Sequence, residues 1–173
     1  MKKVLLALAI IAGTAFTTFA QTKSGDSGKF NIGVEAGLPV GDAHQVFNSV
    51  FGASIKYELP IAPSTYFTVS AGYNAFLYKS EVKDAFKALG QDRSVEGFVP
   101  VKVGVKYYIE QGFFAEGQLG AAFGTRSGRG TAFDYAPGIG YTFDGGFEAG
   151  VRYEAFSKNG TISQVGLRLA YRF

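Results

Sequence analysis

Apolar and polar residues alternate along almost the whole chain beyond residue 28. The last segment, ISQVGLRLAYRF, places Val165, Leu167, Leu169, Tyr171 and Phe173 on one side of an extended chain. Alternation with a period of two is typical of half-buried β-strands. The pattern predicts eight strands, at residues 29–40, 50–59, 66–77, 97–109, 113–123, 132–143, 147–156 and 162–173.

The connections between these strands alternate between short and long. The short ones are 60–64, 110–112 and 144–146, and the long ones are 41–48, 78–96, 124–131 and 157–161. The Asp-Gly-Gly sequence at 144–146 suits a hairpin turn, because glycine tolerates a positive φ. In 78–96, Val82, Phe86 and Leu89 have helix-like spacing. The sequence of this segment is compatible with a short helix and with an irregular loop.

Eight antiparallel strands joined in sequence predict an all-β, up-and-down barrel, which leaves no unpaired edge. In a soluble barrel the apolar face points inward, whereas in a membrane barrel it points outward. The polar face carries six acids and six bases, the balance that a confined interior requires because an unpaired buried charge is costly. We expect an interior ion-pair network of Glu35, Lys56, Glu58, Lys102, Lys106, Glu116, Asp134, Glu148, Arg152, Glu154, Arg168 and Arg172.

The apolar face has the features of a surface in contact with lipid. At the end with the short connections every strand carries an outward aromatic residue, although aromatics make up only 16% of the chain. Such a belt marks a membrane–water interface. The eight predicted interface aromatics are Phe30, Tyr57, Phe67, Tyr107, Phe113, Tyr141, Phe147 and Tyr171. A transmembrane barrel is therefore favoured over a soluble one.

The first twenty residues have the layout of a cleaved secretory signal peptide: two lysines, an apolar run and small residues up to Ala20. Their apolar core is too short for a membrane anchor. We expect a polar lead at 21–28 and the barrel domain at 29–173. Removing Lys2 and Lys3 lowers the formal charge from +3 to +1, so nothing indicates a nucleic-acid partner.

In these features, and in the final YRF, the chain resembles the small outer-membrane β-barrels of Gram-negative bacteria, the porin-family group with the OmpX-like proteins and the OmpA transmembrane domain. The resemblance covers residues 29–173 and implies periplasmic turns and extracellular loops. It also implies that Phe173, with Tyr171, belongs to the signal read by the outer-membrane insertion machinery. The expected surroundings are outer-membrane lipid and lipopolysaccharide, and the expected state is a monomer.

Two prolines depart from this pattern. Pro100 and Pro137 fall inside predicted strands, where each lacks the N–H group that a ladder hydrogen bond requires. We expect a bulge or an interrupted ladder at both positions.

Three functions are compatible with such a chain. The favoured one is a non-enzymatic barrel with a side-chain-filled, ion-paired interior and a structural or adhesin-like role through its extracellular loops. A small porin-like channel for ions or water is the alternative. The third is a lipid-modifying enzyme, because some small outer-membrane barrels act on lipids.

The enzyme hypothesis depends on the only histidine, His44, with Asp42 two residues before it. His44 would act as a base toward a loop serine such as Ser127 or Ser157. A solvated loop histidine is the favoured interpretation. The Ser-near-His motif of lipid A deacylase barrels is missing, because Val46 stands two residues after His44. The N-terminal amphipathic helix of palmitoyltransferase barrels is missing as well.

Two loops are candidates for contacts outside the membrane. The basic, glycine-rich segment GTRSGRG supplies Arg126 and Arg129, which together with Lys158 would contact lipopolysaccharide phosphates; a flexible hairpin is the alternative. The long loop 78–96 is the best candidate for an extracellular partner. One histidine, no cysteine and scattered acids predict no metal site and no cofactor.

Overall fold

The structure, a computed structural model, describes residues 28–126 and 128–173. The predicted signal peptide at 1–20 and most of the polar lead lie outside the described residues, as does Ser127. The described chain forms eight strands and two short helices. They are β1 (Lys29–Val40), α1 (Ala43–Val46), β2 (Phe47–Ala62), β3 (Thr65–Tyr78), α2 (Ser80–Ala88), β4 (Val95–Tyr108), β5 (Phe113–Gly124), β6 (Thr131–Thr142), β7 (Phe147–Ser157) and β8 (Thr161–Arg172).

Each strand pairs antiparallel with the next, and β8 pairs with β1 to close the barrel. The predicted all-β, eight-stranded up-and-down barrel is confirmed. Most strand ends differ from the predicted bounds by one to three residues, because the outermost residues of each strand pair without keeping the alternating pattern. β2 is the largest case, since it runs from Phe47 to Ala62.

One rim of the barrel, called here the turn side, carries three tight turns. Gly112, Gly145 and Gly146 have positive φ angles there, and so does Ser64. A residue with a side chain is strained in that region, which explains the glycines of the Asp-Gly-Gly turn. The opposite rim, called the loop side, carries α1, α2 and the connections 125–130 and 158–160.

The long connection contains a helix, which decides between the two alternatives left open by the sequence. Val82 and Phe86 lie four residues apart on α2, and both pack against a hydrophobic cluster inside the barrel mouth. The Phe86 ring contacts that of Tyr78 at 5.2 Å. The helix therefore lies over the loop-side opening.

The two prolines interrupt the ladder without a bulge. At Pro137 the β6–β7 pairing has a gap between Tyr135–Ala155 and Gly138–Arg152, yet the pairs on both sides keep one register. Pro100 leaves the same kind of gap toward β3. Since proline lacks only its N–H group, the ladder is interrupted toward one neighbouring strand only: Pro137 still pairs with Gly117, and Pro100 with Ala122. The register shifts occur between β2 and β3 instead.

The outward face is apolar and the inward face is polar over most of the barrel height. Val34, Ile55, Leu119 and Leu169 are each more than half exposed on the outside. Lys106, Glu58 and Asp134 are fully buried inside. This inside-out distribution is the one that a bilayer imposes, because hydrocarbon replaces water as the outer solvent.

Candidate functional site

The turn-side half of the barrel interior is organised around two lysines. The Lys106 ammonium group lies 3.0 Å from Glu58 and also pairs with Glu148. Lys56 lies 2.9 Å from Glu116, 3.2 Å from Glu58 and 3.3 Å from Glu148. Three carboxylates from β2, β5 and β7 therefore share two cations from β2 and β4, which ties distant walls of the barrel together.

Arg168 connects this group to the middle of the barrel. Its guanidinium lies 3.3 Å from Glu148 and 3.4 Å from Glu35, and it donates hydrogen bonds to Asn31 at 2.6 Å and to Ser54 at 3.1 Å. A guanidinium has five N–H donors in a fixed plane, so it can satisfy several acceptors at once. Arg168 thus joins β1, β2 and β7 from its position on β8.

Glu154 is the centre of the network toward the loop side. It pairs with Lys102 and lies 3.1 Å from Arg152. The amides of Asn74 and Gln164 donate to it at 2.9 and 2.8 Å. Asp134 is the least satisfied acid, because it lies 3.8 Å from Lys102 and neither of its oxygens accepts a hydrogen bond within the described part of the chain.

All twelve charged residues expected from the sequence have at least one partner of opposite charge in this interior. Arg172 has the weakest contact, 3.8 Å from Glu58, and it also donates to the Tyr108 hydroxyl at 2.9 Å. Small residues make room for the large ones: a Cβ atom added at Gly140 would collide with the buried Phe114 ring. The cavity among these side chains measures about 30 Å³, roughly enough for one or two water molecules.

An apolar cluster fills the loop-side mouth of the interior, in addition to the ion pairs expected from the sequence. The Phe76 ring of this cluster is in edge contact with Phe47, Phe98 and Phe156. Aromatic edge contacts add to the gain from burying the rings. The cluster consists of Ala43, Phe47, Val50, Phe76, Tyr78, Phe98, Ala122 and Phe156.

Alternation alone did not reveal this cluster, because Phe76 lies between Ala75 and Leu77, and Phe98 between Gly97 and Val99, so neither has polar neighbours in the sequence. Their strands are apolar on both faces at this level. A continuous apolar run is the usual sign of a strand buried on both faces, and that signal could have identified them.

Glu96 is the functional-site residue that the sequence analysis missed. It was assigned to the loop 78–96, but it lies in β4 and is fully buried. It accepts a hydrogen bond from the Tyr78 hydroxyl at 2.7 Å. Arg129 donates to it at 2.8 Å and Arg126 lies 3.6 Å away. The hydrogen bond with Glu96 raises the pKa of the Arg129 guanidinium above its usual value, so this cation is held charged in the loop.

The three cations expected to contact lipopolysaccharide therefore form one cluster, called here the rim cluster. Arg126 and Arg129 converge on Glu96, and the Lys158 ammonium donates to the Arg129 carbonyl oxygen at 2.7 Å. The Arg126 and Arg129 side chains remain 32% and 44% exposed. Their pairing with Glu96 orients them and leaves part of each side chain accessible.

The weak catalytic candidates are not assembled into a site. Asp42 and His44 are both exposed at α1. Their backbones make turn hydrogen bonds, from His44 N–H to Gly41 and from Gln45 N–H to Asp42. Across residues 28–126 and 128–173 no hydrogen bond or ion pair joins the two side chains. Ser157 is exposed at the end of β7, and Ser127 is outside the described residues.

The eight predicted interface aromatics lie near the turn-side rim on the outward face. Three pairs are direct neighbours on adjacent strands: Phe30–Tyr57, Phe113–Tyr141 and Phe147–Tyr171. The rings of Phe147 and Tyr171 meet at 5.3 Å, and Phe173 packs on Tyr171 at 5.1 Å. The Phe173 N–H also donates to the Phe30 carbonyl at 2.8 Å, which ties the chain end to β1.

No group of three or more histidine, cysteine, aspartate or glutamate residues in the described part of the chain has an arrangement that could hold a metal ion. Neither helix in the described ranges has the length and apolar character needed to cross a bilayer.

Comparison with solved structures shows the fold of small outer-membrane β-barrels. The chain is similar to the attachment invasion locus protein Ail of Yersinia pestis, with 16% identity over 87% of this chain and 100% of Ail, at a TM-score of 0.60. The N-terminal barrel of Pseudomonas aeruginosa OprF matches with 14% identity over 85% of this chain and 100% of that domain, at a TM-score of 0.55.

The outer-membrane enzyme PagL matches at a comparable level, with 13% identity over 82% of this chain and 98% of PagL, at a TM-score of 0.57. No protein-family description matches the chain, and no curated protein sequence matches it significantly. The chain therefore has the architecture of an outer-membrane barrel, which agrees with its exposed apolar wall. Enzymes and non-enzymatic proteins share this architecture, so function has to be argued from the residues.

Proposed function

We propose that this protein is a non-enzymatic outer-membrane barrel with a closed interior, which binds anionic saccharide groups at its loop-side surface. The observation that carries the proposal is the rim cluster, where Arg126 and Arg129 pair with the buried carboxylate of Glu96 and Lys158 is bonded to the backbone of Arg129. Three positive charges against the single negative charge of Glu96 leave an excess of two. A sulfate or phosphate group can complete the pairing of the exposed guanidinium edges.

The closed interior supports a role at the surface rather than transport through the barrel. The ion-pair network crosses the interior on the turn side and in the middle of the barrel, and the aromatic cluster together with α2 covers the loop-side mouth. An eight-stranded barrel is just wide enough to be filled by its own side chains. We therefore rank the porin-like alternative below the surface-interaction role.

A structural neighbour supports the choice of ligand chemistry. Ail of Yersinia pestis has been solved in complex with the heparin analogue sucrose octasulfate, in a structure that matches this chain at 18% identity and a TM-score of 0.57. The similarity in fold does not transfer the site. It shows that a barrel of this size can present a surface for a polysulfated sugar.

The proposal is tested by titrating sucrose octasulfate into the protein in phospholipid nanodiscs, with calorimetric detection. Lys158→Gln removes one cation without breaking the pairing of Glu96, and we expect it to weaken binding about three- to tenfold. Arg129→Gln should weaken it more. Lys29→Gln is the matched control, because it removes the same charge from an exposed position on the turn side and should leave affinity unchanged.

A second titration with lipopolysaccharide distinguishes phosphate from sulfate as the natural group. Binding should weaken as salt rises, because the contacts are partly exposed ion pairs. Absence of binding to both ligands would refute the proposal. Equal affinity in Lys158→Gln, Arg129→Gln and Lys29→Gln would refute the rim cluster as its site.

The segment 78–96 remains a candidate for a protein partner. Leu89 follows α2 and is 73% exposed, and Val46 of α1 is exposed on the same rim. Exposed apolar side chains on the water-facing rim are typical of contact surfaces. We also propose that the barrel is a monomer, since its strands close on themselves and leave no edge for another chain.

A further inference from the structure

A depression of about 660 Å³ lies in the outward, lipid-facing wall of the barrel, across β5 and β6. Its floor is formed by Gly117 and Pro137, which are direct neighbours in the β5–β6 pairing. A Cβ atom added at Gly117 would meet no other atom within 4 Å. The floor is therefore recessed because two adjacent strands both lack an outward-pointing side chain of ordinary size.

The strand register shows that this depression is a trough. Val105, Gly117 and Pro137 pair successively across β4, β5 and β6, and Tyr153 pairs with Val165 across β7 and β8 on the same line. A second line, formed by Tyr107, Ala115, Ile139 and Val151, bounds it toward the turn side. Four strand spacings of about 4.8 Å give a length of about 19 Å.

Bulky residues close both ends of the trough. Phe67 of β3 pairs with Val105, and Leu38 of β1 pairs with Val165. The lining is mostly apolar, with Val105, Ile139, Val151 and Val165 all substantially exposed. In a bilayer these surfaces meet hydrocarbon. If part of the trough stayed empty, the side chains that line it and the lipid chains outside it would both lose dispersion contacts.

The wall is also thin at this place. Glu116 and Arg152 line the trough, and both line the interior cavity as well. The β6–β7 ladder is interrupted beside Pro137, between Tyr135–Ala155 and Gly138–Arg152. The polar interior therefore lies close to the bilayer here, and a ligand in the trough would shield it.

These observations identify the occupant. The trough opens directly into the bilayer. Because barrel strands tilt by about 40°, a line of about 19 Å across them rises about 12 Å along the membrane normal, which fits within one leaflet of about 15 Å. Its lower boundary is Tyr107, which belongs to the turn-side aromatic belt, so the nearer leaflet is the turn-side one. We propose that the trough of Gly117 and Pro137 is a binding site for one acyl chain of a phospholipid from the turn-side leaflet.

The site is tested by native mass spectrometry of the protein extracted from dimyristoylphosphatidylcholine vesicles into a mild detergent. The unaltered protein should retain one phospholipid. The series Gly117→Ala, Gly117→Leu and Gly117→Phe fills the trough progressively, and the open space at Gly117 allows each barrel to fold. Every methylene displaced should lower retention about fourfold, so Gly117→Phe should lower it at least tenfold.

Ala53→Leu is the matched control, because Ala53 faces outward on β2 between Val34 and Tyr73, away from the trough. It should retain phospholipid as the unaltered protein does. Crystals grown with a phospholipid brominated in its acyl chain should show bromine along Gly117 and Pro137. Equal retention in Gly117→Phe, or bromine absent from this line, would overturn the site. A dimer that dissociates on filling the trough would identify a second copy as the occupant and overturn it equally.

Discussion

Lys106 of β4 and Glu148 of β7 form an ion pair across the interior of the barrel. The two residues lie on strands that do not touch, and the Lys106 ammonium also contacts Glu58 of β2 and the face of the Phe114 ring at 3.9 Å. One buried cation therefore connects three separate parts of the wall. A closed barrel needs such links because hydrogen bonds join only neighbouring strands.

Replacing Lys106 with Met removes this link while keeping the length of the side chain. Glu58 and Glu148 would each lose a partner in a low-dielectric interior. We expect the free energy of unfolding to fall by about 3–5 kcal/mol, measured by urea unfolding in phospholipid vesicles with circular dichroism. Lys29→Met is the control, since Lys29 is exposed, and should change it by less than about 0.5 kcal/mol. Equal effects of the two substitutions would contradict the structural role of the pair.

The aromatic cluster at the mouth should contribute as a hydrophobic core does. Phe76 is fully buried and contacts three other rings. Phe76→Ala leaves a cavity and should cost about 3–5 kcal/mol in the same unfolding assay. Leu89→Ala, on the exposed side of the same rim, should cost less than about 0.5 kcal/mol. A small cost for Phe76→Ala would mean that the mouth is loosely packed.

The filled interior predicts little ion flow. The interior cavity of about 30 Å³ is far smaller than a water-filled pore. Planar bilayers containing the pure protein should show no large, stable conductance steps in concentrated salt. Bilayers that receive an equal volume of detergent alone provide the baseline. Regular large steps above that baseline would instead support the porin-like alternative.

His44 should be dispensable for lipid chemistry. Its side chain is exposed and is not paired with Asp42 among the described residues. Mass spectra of lipid A and phospholipids from cells producing the unaltered protein and from cells producing His44→Ala should be identical. A modified lipid that appears with the unaltered protein and vanishes with His44→Ala would establish the enzyme hypothesis and displace the one proposed here.

The terminal aromatic should matter for assembly rather than for the stability of the finished barrel. Phe173 follows β8, and its ring is 62% exposed and packs on Tyr171 of the outward belt. Phe173→Ala should reduce the amount of folded protein recovered in the outer membrane several-fold. Phe143→Ala removes an equally exposed ring from a turn on the same rim and serves as the control. Equal recovery of both variants would rule out a special role for the chain end.

Three properties were predictable from local sequence pattern: the order of the strands, the side chains on each face, and the polar character of the interior. Strict alternation in segments such as 162–173 states which side chains share a face, and closure follows because sequential antiparallel strands leave two edges that must pair. The equal number of acidic and basic residues on one face of the strands indicates that this face points into the barrel. These properties depend on neighbours in sequence, and the sequence therefore determines them.

Other properties depend on residues that are remote in sequence, and only the tertiary structure decided them. Glu96 and Arg129 meet because β4 and the β5–β6 loop share one rim. Phe76, Phe98 and Phe156 form a cluster because their side chains point inward from three strands, β3, β4 and β7, at the same level along the barrel axis. The trough exists because Gly117 of β5 lies opposite Pro137 of β6. Alternation determines whether a side chain points into or out of the barrel. The stagger between strands determines the level of that side chain along the barrel axis, and side chains meet only when they lie at the same level.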